Sequence, residues 1–148
     1  MNSELQFLLS QDEGYNLEFK ESVSSSLSKE ICAFANANGG KIVVGVTNDK
    51  KIKSVSDVNT SKSKIQDYAR NMDPSFSVTM KMLDDVLVVT VSEGKKKPYS
   101  ANGKFYMRRG ANSQQLKRDE IRVLFREEGF LQFDETPNKK FDFDTDFD

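Results

Sequence analysis

The sequence contains no histidine. That absence removes Ser-His nucleophilic catalysis, histidine acid-base chemistry and His-ligated zinc together. Any metal held by this chain would be bound through oxygen, a donor set of carboxylates, carbonyls and water that suits magnesium, manganese or calcium. Cysteine is nearly absent too: Cys32 stands alone. It cannot form an internal disulfide, and its place among apolar helical residues reads as a small buried hydrophobe. No apolar run approaches the roughly 20 residues needed to span a bilayer, and the acidic opening MNSELQFLLSQDEG lacks the basic start of a signal peptide. A cytoplasmic protein with no membrane partner is expected. The glycine signatures of nucleotide binding, G-x-x-x-x-G-K-[ST] and G-x-G-x-x-G, are also missing.

What is present fits one domain of ordinary composition. With 148 residues, 36% hydrophobic and 30% charged, the chain is long enough to bury a real core. Its net charge of -1 hides an asymmetry. Residues 130–148 carry six acids against two lysines, a balance of -4, which leaves +3 for residues 1–129. A mildly basic body is compatible with nucleic acid.

The chain is organised around AFANANGGKIVVGV, residues 33–46. Small helix-forming residues run into Gly39-Gly40, where glycine stops a helix by taking up positive φ. Ile42, Val43, Val44 and Val46 then form an unbroken apolar strand, the pattern of a strand covered on both faces in mid-sheet. Gly45 inside it marks close packing of a helix, or close approach of another backbone or of a ligand.

Around this spine, Ser3–Leu9 reads as a short helix capped by Ser3, and NLEFK at 16–20 as a strand with Leu17 and Phe19 on one face and Glu18 and Lys20 on the other. Ser26 or Ser28 would cap the helix that follows. Ile52–Val55 is expected to return as a partner strand to the central one, through a polar turn at Asn48–Lys51. Residues 60–72 carry Ile65, Tyr68, Ala69 and Met72 at helical spacing, and strands are expected at 76–82, 86–91 and 104–109. The closing helix, Leu116–Glu128, would bury Ile121, Leu124 and Phe125. The tail FDFDTDFD reads either as a strand for a partner or as the start of a linker to downstream domains absent from this chain.

Four segments, NLEFKES at 16–22, AFANANGG at 33–40, VVGV with its polar turn at 43–49, and KPYSANGKFYMRRGANS at 97–113, together resemble the Schlafen AlbA-like domain, also called the divergent AAA-4 domain. The resemblance implies an α+β fold, here a mixed, largely antiparallel sheet with packed helices over residues 1–129. It also implies an N-terminal position in longer regulatory proteins and nucleic-acid binding. Some Schlafen members instead cleave structured RNA with a divalent metal held by three carboxylates. On that pattern Glu13, Glu18 and Asp49 are the catalytic and metal-binding candidates, for magnesium or manganese. Asp49 falls one position late, and Asn48 before it offers only a neutral oxygen. Clustered carboxylates repel unless a cation relieves them, and a metal so bound would activate water. The alternative leaves Glu13 and Glu18 in surface pairs with Lys20 and its neighbours.

For a binding platform, the candidate contacts are Lys95, Lys96, Lys97, Lys104, Arg108, Arg109, Arg118, Arg122 and Arg126, with Tyr99, Phe105 and Tyr106 interleaved. Basic side chains neutralise phosphates and tyrosines stack on unpaired bases. Against this, one of Tyr106 and Met107 belongs to the core by strand alternation. Arg118, Arg122 and Arg126 also fit a solvated helix face paired to Asp119. Three readings therefore stand: a DNA- or RNA-binding domain of a regulatory, DNA-binding transcriptional type, a metal-dependent ribonuclease, and a protein-interaction or homodimerisation module.

Overall fold

The computed structural model describes residues 1–129; the acidic tail lies outside them. The chain divides into two compact units, Met1–Leu116 and Lys117–Asp148.

In the first unit, α1 (Ser3–Leu9), β1 (Leu17–Lys20), α2 (Leu27–Asn36), β2 (Gly40–Val44), α3 (Val58–Arg70), β3 (Thr79–Leu83) and β4 (Val86–Val91) are followed by β5 (Ser100–Ala101), β6 (Lys104–Arg109) and β7 (Asn112–Gln115). One sheet has the order β1-β2-β4-β3; the other is β5-β6-β7. β1 runs parallel to β2, and every other pairing is antiparallel. The expected α+β class with a mixed, largely antiparallel sheet is what the chain forms.

The Ile42–Val44 run of β2 is uninterrupted by polar residues because the sheet is covered twice. On one face Val43 joins Leu17, Phe19, Val86 and Val88 beneath Leu5 and Leu8 of α1. On the other, Ile42 and Val44 join Leu87 and Val89 beneath Ile31, Phe34 and Cys32 of α2 and Ile65 and Ala69 of α3. Burying each large aliphatic side chain here contributes roughly 1.5–3 kcal/mol. α2 is buried almost all round, since it also packs against β5, β6 and β7 on its far side. Its run of Cys32, Ala33, Ala35 and Ala37 lets two sheets approach one helix.

Five local features differ from expectation. Asn2, not Ser3, caps α1, its Oδ1 accepting from the Leu5 N–H at 3.1 Å. Ser26 is the N-cap of α2 without a side-chain capping hydrogen bond, while Ser28 Oγ donates to Ser25 O at 2.8 Å. The return strand at Ile52–Val55 shrinks to one bridge, Val46 to Ile52. Gly45, at φ 108°, is where the backbone leaves β2. A Cβ there would meet Val55 Cγ2 at 3.2 Å and Ser54 C at 3.4 Å, so it is another backbone stretch and not a helix that demands glycine. Finally β7, NSQQ, carries no apolar alternation and had no counterpart in the sequence reading.

The second unit's described part is α4 (Arg118–Glu127), N-capped at Lys117, whose N–H donates to Glu120 Oε1 at 2.8 Å. Leu124 is buried, Ile121 and Phe125 half-buried, and Arg118, Arg122 and Arg126 exposed.

Candidate nucleic-acid interface and its internal ion-pair cluster

Strand alternation decides what β6 can offer. Lys104, Tyr106 and Arg108 share one face by period two, and the last two turn toward α2. Arg108 is 1% exposed. Its Nη1 lies 2.7 Å from Glu18 Oε1 and 3.3 Å from Glu30 Oε1 and donates to Ser113 Oγ at 3.0 Å. Nη2 donates to Leu17 O at 3.1 Å and Nε to Gly14 O at 3.0 Å. The guanidinium lies 4.7 Å from the centroid of the Phe34 ring, a cation-π contact. Arg108 is therefore an interior clamp of β1, α2, β6 and β7. It is not a phosphate contact, which corrects its place among the binding candidates.

Glu18 reaches this cluster because β1 turns Leu17 and Phe19 into one core and Glu18 toward the other. Glu13 joins it: its Oε2 accepts from the Phe19 N–H at 3.1 Å, and its carboxyl hydrogen-bonds that of Glu18. Burial, that hydrogen bond and repulsion from Glu30 push the Glu18 carboxyl up to about 7, against the opposing pull of Arg108. Lys20 does not neutralise Glu18. It pairs with Glu30 at 3.0 Å, and Glu30 also accepts from Ser113 Oγ. Three carboxyls, those of Glu13, Glu18 and Glu30, thus share two cations, Arg108 and Lys20.

Glu30 escaped the sequence reading, yet its signal was present. It sits between Leu27 and Phe34 at helical spacing, inside the apolar stripe, where a carboxylate needs a buried partner.

Asp49 lies apart. It is exposed in the turn where Lys50 N–H donates to Thr47 O at 2.9 Å. Among the described residues no group of three acidic, cysteine or histidine side chains is placed to hold a metal ion. Glu18 and Glu30 already give oxygens to Arg108 and Lys20, so the donor set does not fit a resident magnesium or manganese, and the triad of Glu13, Glu18 and Asp49 does not assemble.

Tyr99 also moves inward. It is 3% exposed, packed edge-on to Phe76 with centroids 5.2 Å apart, and is no stacking platform. Its role is to brace the β4–β5 connection. Its hydroxyl accepts from the Lys96 N–H at 3.0 Å, and its N–H donates to Asn36 Oδ1 at 2.7 Å. Asn36 Nδ2 in turn donates to the carbonyls of Tyr99 and Tyr106 at 2.9 and 2.8 Å. The Asn of the AFAN run therefore ties α2 to both strands. Gly94 completes the brace, donating to Ala35 O at 2.8 Å.

From this anchored stretch Lys95 and Lys96 project into solvent, while Lys97 is largely covered and paired to Glu93 at 2.7 Å. Lys104 is exposed after the Asn102-Gly103 turn, and Arg109 is exposed at the end of β6. No described helix is long and apolar enough to cross a membrane.

The class defined by these features is an α+β domain with two sheets sharing a buried helix, an internal Arg-Glu cluster and exposed lysines on a braced connection. A family model described as Schlafen, AlbA_2 matches residues 13–117, and the chain belongs to that family. Among solved structures, the DIP2311 protein from Corynebacterium diphtheriae is similar at a TM-score of 0.58 and 17% identity, over 85% of this chain and 28% of that one. That likeness concerns the fold, and the chain spans little more than a quarter of that protein. No curated protein matches.

Proposed function

We propose that this domain binds nucleic acid through exposed lysines of the β4–β5 connection and the start of β6, in a regulatory protein. The observation that carries the reading is that Lys95, Lys96 and Lys104 are exposed and make no ion pair with described residues. Their charge is thus free to displace counterions from phosphates. The brace through Gly94, Tyr99 and Asn36 lowers the ordering cost of binding by holding the backbone of this stretch in place. Arg109 adds to the basic surface of this unit, and α4 presents Arg118, Arg122 and Arg126 on one face of its own. Family membership supports the same role.

The test is the affinity of the chain for a labelled DNA or RNA oligonucleotide, followed by fluorescence anisotropy. Replacing Lys95 and Lys96 together with alanine is expected to weaken binding to every sequence by similar factors, as loss of phosphate contacts does. Unchanged affinity in that variant would exclude the braced connection as the interface.

A further inference from the structure

The C-terminal end of α2 opens onto a cavity of about 300 Å³ that the ion-pair cluster does not use. Its walls include Phe7, Gln11, Asn16, Asn38 and Lys41, with Gly39 and Gly40 contributing bare backbone. This volume lies at the lower end of small-ligand pockets, which run from about 300 Å³ upward.

The chemistry of the walls is specific. Phe7 is 64% exposed although Leu5 and Leu8 of the same helix are buried, so its ring is not used to hold the fold. Gln11 and Asn16 bring side-chain amides, each donor and acceptor at once, as the edge of a nucleobase requires. Lys41 Nζ donates to Thr90 Oγ1 at 3.2 Å and has no carboxylate partner among the described residues.

The cavity also adjoins the lysine-bearing connection. Asn38 accepts from the hydroxyl of the half-exposed Tyr15 at 2.6 Å and hydrogen-bonds Glu93, the residue that opens the stretch leading to Lys95 and Lys96. A Cβ on Gly39 would lie 2.6 Å from Val91 O and 2.9 Å from Glu93 N, so the rim of the cavity and the start of that stretch touch. An aromatic ring, amide residues and one unneutralised lysine line the cavity, and the lysine-bearing connection starts at its rim.

We propose that this cavity takes one unpaired nucleobase of a single-stranded nucleic acid, stacked on Phe7 and contacted at its edge by Gln11 and Asn16, while Lys41, Lys95 and Lys96 hold the flanking phosphates. The inference rests on the nucleic-acid reading above and narrows it to strands with unpaired bases. A duplex must first break a pair and a stack to fill such a site.

The experiment compares the full chain with Phe7→Ala, Phe7→Tyr and Phe7→Trp on a single-stranded oligonucleotide of about ten nucleotides, within the usual single-strand site size, and on the duplex of the same sequence. Stacking on one aromatic ring predicts that Phe7→Ala weakens single-strand binding by about 5- to 150-fold, leaves duplex binding unchanged, and is rescued by Phe7→Tyr. The chain has no tryptophan, so Phe7→Trp places a sole reporter in the wall, and its emission should be quenched as the single strand binds.

Single-strand affinity unchanged in Phe7→Ala, or binding by Phe7→Trp without quenching, overturns the base site while leaving the lysine interface standing. Failure of the wild-type chain to bind either form overturns both. Because Phe7 is exposed, thermal melts of its variants should match the wild type. A variant that melts early is replaced by Lys41→Ala, for which the same preferential loss on the single strand is expected and an equal loss on both forms contradicts the site.

Discussion

Arg108 Nη1 and Glu18 Oε1 lie 2.7 Å apart, 90 residues apart in the chain, with the arginine side chain fully buried. Their pairing joins the first strand of one sheet to the middle strand of the other across α2. One arginine of the basic strand KFYMRR and a carboxylate that reads in sequence as a metal ligand are, in the folded protein, partners in one internal contact.

Truncating Arg108 should therefore unfold the domain readily. Arg108→Ala leaves Glu18 buried without its cation and Glu30 with Lys20 alone, a change that costs about 3–5 kcal/mol in comparable buried pairs. Arg108→Lys should recover little, because an ammonium cannot serve carboxylates and two carbonyls from one planar fork. Urea unfolding checks this, and a loss below about 1 kcal/mol would contradict the clamp.

Stability should also vary with pH in a direction set by Glu18. Its carboxyl is raised from 4.5 to about 7 in the folded protein, so between those values the folded state keeps a proton that the unfolded chain has released. The contribution is complete below about pH 4.5 and is lost as pH rises through about 7, on the order of 3 kcal/mol. Glu18→Gln cannot titrate, so the wild type should lose stability relative to it across this window. Parallel curves for the two proteins would contradict the assignment.

Gly45→Ala tests the exit from β2. At φ 108° an alanine is strained, and its Cβ would press on Val55 and Ser54. A loss above about 1 kcal/mol is expected, since alanine at positive φ costs more than the gain it brings by restricting the unfolded chain. A neutral result in thermal melting would show that the backbone there relaxes freely.

The spine of the fold was legible because its signals are local. The 3.6-residue stripe of α2, the Gly39-Gly40 stop and the β-branched run of β2 each depend on neighbours in sequence. β7 was not, since Asn112–Gln115 earns its place only by pairing with β6, and the strand expected at Ile52–Val55 fails because Gly45 turns the backbone out of the ladder. The site divides the same way. Glu13 and Glu18 stand five residues apart and do meet around β1, whereas the partners that decide their chemistry, Glu30 and Arg108, arrive from α2 and β6. Charge on KFYMRR says nothing of burial until alternation is fixed by the helix it packs on, which is why Arg108 looked like a surface contact. Lys95 and Lys96, on a connection, and Lys104, at the first position of β6, are exposed.

The most direct test of the account is the salt dependence of nucleic-acid binding by the wild type and the Lys95→Ala, Lys96→Ala double variant. If these lysines neutralise phosphates, log affinity should fall linearly with log salt, and the double variant should show a slope shallower by about two, one for each phosphate contact removed. Equal slopes, or a wild-type affinity indifferent to salt, would contradict it.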